Sequence, residues 1–109
     1  MTQLDVIRMI GDVLTEIDVA VGSLRPGDPD MIRLQDLRQV LDARQLMLSR
    51  QVFDENTQGF REAAERLRAV NLEIRGTIKQ IDDMIAVIHN VERFLDSVTS
   101  FLSTIHAFG

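Results

Sequence analysis

Residues 60–105, set out in sevens, read FREAAER LRAVNLE IRGTIKQ IDDMIAV IHNVERF LDSVTSF LSTI. Every block opens on a large apolar residue: Phe60, Leu67, Ile74, Ile81, Ile88, Leu95 and Leu102. Three residues after each come Ala63, Val70, Thr77, Met84, Val91, Val98 and Ile105. Seven consecutive a/d pairs with only Thr77 polar predict helices packed in coiled-coil fashion. As one continuous helix the segment would be about 69 Å long, at 1.5 Å per residue.

The flanks of this stripe change along its length. Glu62, Arg66 and Glu73 keep it narrow at first, and Glu62 and Arg66 stand at i,i+4 in the order that favours an ion pair. Further on, Ile78 and Ile85 widen it on one side, and Val87, Phe94, Phe101 and Phe108 on the other. A face that broad is costly to leave in water. The residues expected to be covered by a partner are therefore Ile81, Met84, Ile85, Val87, Ile88, Val91, Phe94, Leu95, Val98, Phe101, Leu102, Ile105 and Phe108. Ile88 and Leu95, in the middle of the stripe, are expected to be almost fully enclosed.

Two shorter helices precede it. Thr2 is placed to cap a helix, with Asp5 in the capping-box position. Val6, Ile7, Ile10, Val13, Leu14, Ile17 and Val21 then recur at helical spacing until Gly22, which predicts a helix over 3–22. The loop 22–29 ends in Asp28-Pro29, a capping carboxylate followed by a residue that lacks the N–H a first turn leaves unpaired. A second helix is expected over 29–54. Leu34, Leu37, Leu41, Leu48 and Val52 form one of its stripes; Val40, Ala43, Leu46, Met47 and Phe53 form another. A helix apolar on two sides is expected to touch neighbours on both. The turn-forming residues Asp54 to Gly59 predict a hairpin before a long third helix over 58–107. A break at Gly76 is the rival. Either way the expected fold is an all-α antiparallel helical bundle in a single domain, 1–109.

Composition bounds the function. The chain has 109 residues, 45% of them hydrophobic, with two prolines, five aromatics (all Phe) and no cysteine. That excludes disulfides and thiolate chemistry, and speaks against a β-rich fold. The net charge of −5, with eleven of twelve basic residues Arg, opposes the basic excess that binds nucleic acid. No run approaches the roughly 20 apolar residues of a bilayer span. The N-terminal residues do not resemble a signal peptide. A bacterial cytoplasmic location is expected, with export by a route that needs no N-terminal signal left open.

No phosphate loop, dinucleotide fingerprint, nucleophile elbow or zinc-protease motif occurs. His89-x-x-Glu92 with Asp82 and Asp83 has metal-ligand chemistry, but bundle metal sites place Glu before His and point both inward. Arg61, Arg68 and Arg75 line one face, interleaved with Glu62, Glu65 and Glu73, as in a salt-bridged surface. Ser97, Thr99, Ser100, Ser103 and Thr104 have only His106 nearby as a base. No catalytic residue, cofactor or metal is therefore assigned. The expected function is a non-catalytic helical interaction protein of adaptor, secretion-accessory or inhibitor type, self-associating as a homodimer through 60–105 or binding a helical partner. A membrane-active or pore-forming component exposing 84–108 stands second, and a metal-binding bundle enzyme third. Peripheral membrane contact is disfavoured because Glu92, Arg93 and Asp96 replace the usual basic face.

Overall fold

In the computed structural model, four α-helices carry most of the chain: α1 Gln3–Gly22, α2 Pro29–Arg50, α3 Gln58–Ile74 and α4 Met84–Phe108. A 3-10 turn, Thr77–Lys79, lies between α3 and α4. The backbone is described for residues 1–108 and the side chains for residues 1–105. In all, 80% of the chain is helical and no strand occurs among the described residues, an all-α bundle measuring 44 × 24 × 18 Å.

The helix starts follow from short polar side chains. The Thr2 hydroxyl accepts from the Asp5 N–H at 3.1 Å while the Asp5 carboxylate accepts from the Thr2 N–H at 2.8 Å, a reciprocal box that meets two orphan donors. Asp28 accepts from the Asp30 N–H at 2.8 Å ahead of Pro29. Thr57 accepts from the Phe60 N–H at 3.2 Å and starts α3. At the head of α4, Asp83 accepts from the Ala86 N–H at 3.3 Å.

The long third helix expected over 58–107 is two helices. Both candidate breaks are used: the chain turns at 51–57 and again at 75–83. Burial decides the second turn. An unbroken helix would leave its C-terminal half uncovered, whereas the turn returns α4 along α3 and buries Val87, Val91, Phe94, Val98, Phe101, Leu102 and Ile105. Each such side chain contributes about 1.5–3 kcal/mol. The helical hydrogen bonds given up at the turn cost about 0.5–1.5 kcal/mol each, because water replaces them.

Two antiparallel hairpins result. In α1–α2, Arg38 pairs with Asp18 at 2.6 Å and Gln45 donates to the Ile7 carbonyl at 3.0 Å. At its open end Gln3 donates to the Leu48 carbonyl at 2.6 Å and to the Gln51 carbonyl, and accepts from the Phe53 N–H at 3.1 Å. One side chain thus meets two carbonyls at the end of α2, which closes at Arg50 and not at 54 as the pattern suggests. In α3–α4, Phe60 meets Phe101 edge-on with centroids 5.6 Å apart, and Arg93 pairs with Glu73 at 2.7 Å. The hairpins join chiefly where α2 packs on α4, a seam crossed by Arg33–Glu92 at 3.3 Å.

Candidate interaction surface

The residues expected to await a partner are divided by the fold. Val87, Val91, Phe94, Val98, Phe101, Leu102 and Ile105 lie in the chain's own core. Met84, Ile88 and Leu95 are half-buried against it, so Ile88 and Leu95 are less enclosed than expected. Ile81 and Ile85 are exposed, Ile85 at 81%. The side chains of His106 and Phe108 lie outside the described residues. The expected partner contact supposes one helix over 58–107; with the turn at 75–83, most of this face is covered within the chain.

A different face is left open. On α2, Leu34, Leu37, Leu41 and Leu48 point into the core at no more than 4% exposure. At 100° per residue, Ile32, Val40, Ala43, Leu46 and Met47 fall within about 120° on the opposite side. All five are exposed; Ile32 is at 53%, Leu46 at 48%, Val40 at 41% and Met47 at 40%. Of the two stripes expected to touch neighbours, the first is buried but for Val52, and of the second only Phe53 packs against the core. α2 does contact α1 and α4, yet these five residues stay exposed. The signal was present as the 40-43-46-47 spacing; what spacing alone does not carry is whether a second stripe has anything to meet. Just beyond the helix, Val52 is fully in solvent at 99%.

The polar groups weighed as chemistry take structural positions. Asp83 caps α4, Asp82 is exposed in the preceding turn, Glu92 pairs with Arg33 and His89 is exposed. Among the described residues no three metal-ligating side chains gather. The Thr99 and Thr104 hydroxyls donate to the Leu95 and Ser100 carbonyls of their own helix, at 3.0 and 2.8 Å. Of the arginine row, Arg68 pairs with Glu65 at 3.7 Å and Arg61 donates to the Asn56 carbonyl. Glu62 accepts from Gln58 at 2.8 Å in place of the expected Arg66.

Among the described residues, two groups titrate away from their ordinary values. The Thr2 backbone N–H, helped by the Thr2 hydroxyl, holds Asp5 below the usual carboxylate range. The hydrogen bond to Asp18 raises Arg38. Both belong to helix scaffolding. An open cleft of about 550 Å³ runs between α3 and α4, lined by Ala63, Leu67, Val70, Ser97, Ser100 and Thr104, with Arg66 and Asp96 beside them.

No family model, curated protein or solved structure matches the chain. Among the described residues no helix is long and apolar enough to cross a membrane.

Proposed function

We propose that this protein is a non-catalytic helical interaction module, of adaptor, secretion-accessory or inhibitor type, that docks another protein helix on the outward face of α2. The observation that carries this reading is the exposure of Ile32, Val40, Ala43, Leu46 and Met47 on the side of α2 turned away from its buried leucines. Isolated surface apolar residues are ordinary, but four on one face within about two turns, at i, i+3, i+6 and i+7, give the helix an apolar side that another helix can cover. Self-association through the 60–105 stripe loses its motive, since most of those side chains are already enclosed. Membrane action through 84–108 would require α4 to abandon the same core.

The test is a photo-crosslinking amino acid placed at Met47, Val40 or, as a control on a different exposed face, Glu65, in the native host. The two α2 positions should give a discrete protein adduct and position 65 none. Equal yields from all three, or no adduct from α2, would contradict the proposal.

A further inference from the structure

The outward face of α2 also carries charges, and their placement points to the occupant. Along this face lie Ile32, Asp36, Gln39, Val40, Ala43, Leu46, Met47 and Arg50, all exposed. Asp36 and Arg50 stand seven residues on either side of Ala43, and among the described residues neither forms an ion pair within the chain. We propose that the partner is a second copy of this chain, its α2 packed antiparallel on the first across a two-fold axis at Ala43. This rests on the α2 docking reading and names its partner.

In an antiparallel pair, positions equidistant from the axis meet. Leu46 then packs against Val40 of the other copy, Met47 against Gln39, and Asp36 against Arg50, each contact occurring twice because a two-fold interface is self-complementary. Ala43 at the crossing has only a methyl group, which lets the axes approach closely. The parallel alternative sets Asp36 against Asp36 and Arg50 against Arg50, two like-charge repulsions on the same face. Antiparallel helix dipoles favour the same choice. The chain's net charge of −5 opposes indiscriminate association, so a pairing that succeeds has to bring opposite charges together locally. α2 is about 33 Å long, and one helix pair of that length forms a small interface, with dissociation expected at about micromolar concentrations.

Charge reversal tests the pairing. In sedimentation equilibrium from about 1 to 300 µM, the wild type should move from one to two chain masses. D36R and R50D alone should each weaken association about tenfold or more, by turning both symmetric pairs repulsive. An equimolar mixture of the two variants should recover a dimer, since each D36R chain then faces an R50D chain with both pairs restored. The double variant D36R/R50D should also dimerise. Circular dichroism melts of each variant check that the fold is intact, and none of these side chains is buried. A wild type monomeric throughout, single variants that dimerise as well as wild type, or a mixture that stays monomeric would each overturn the self-pairing. If α2 crosslinks in the host nevertheless carry the mass of a different chain, docking on α2 stands and only the identity of the partner fails.

Discussion

Phe94 shows no exposed surface, whereas Ile88 and Leu95, the residues that open two of the heptad blocks, are half-buried. The heptad pattern marks a and d positions as core, but α4 is turned so that Val87, Phe94 and Phe101, each one residue ahead of an a position, go inward. Periodicity locates a stripe to within one position; which edge goes deepest depends on where α2 and α3 lie. Replacing Phe94 with Ala should therefore cost about 3–5 kcal/mol, while Ile88→Ala and Leu95→Ala should stay below about 2 kcal/mol. His89→Ala, at an exposed site, should cost under about 1 kcal/mol. Thermal melts of the four variants would order them, and a Leu95 variant as damaged as the Phe94 variant would refute the rotation. Capping was legible residue by residue, because Thr2, Asp5 and Asp28 act on neighbours in sequence. It has a pH consequence. The folded carboxyl of Asp5 titrates below its unfolded value, so its contribution to stability is present above the ordinary carboxylate range and is lost as pH falls through the lowered folded value. An NMR titration should find Asp5 below that range, and Thr2→Ala should bring it part of the way back. An Asp5 titrating normally in the wild type would contradict the capping box.

At the level of helices, α1, the start of α2 and a break before α3 are readable in the sequence. The break at 51–57 is not the expected hairpin, since α2 packs on α1 and α4 and not on α3. The turn at 75–83 is legible only as the rival break at Gly76. Its signals were weak alone: Gly76 with helical backbone angles, and Asp83, a helix cap that was weighed as a metal ligand. The heptad runs through the turn without losing phase, so the pattern itself gives no sign of a break. What forces it is long-range, the need to cover α4. The two glycines in the loops behave oppositely. Gly76 has φ −75° and ψ −39°, and a Cβ there would meet nothing within 4 Å, so Gly76→Ala should stabilise by about 0.4–1 kcal/mol through the unfolded chain. Gly27 has φ +83°, which an L side chain resists, so Gly27→Ala should destabilise by about 1–2 kcal/mol. Denaturant midpoints moving in the same direction for both would contradict the assignment of these turns.

For the molecule as a whole, one chain closes a core that the sequence suggested needed two. Most of the broad α4 stripe is covered within the chain, and the outward stripe of α2, whose spacing predicts a central helix, stays exposed. The total apolar content was legible from composition; how it divides between inside and outside was not, since that depends on which helices become neighbours. The difference can be measured by following far-UV circular dichroism as the protein is diluted past the point at which sedimentation finds only single chains. Helical content and a cooperative melt should persist in the monomer, because Val87, Phe94 and Val98 are covered from within. Helix lost in step with dissociation would mean that α4 is buried between chains, and that the core does not close within one chain.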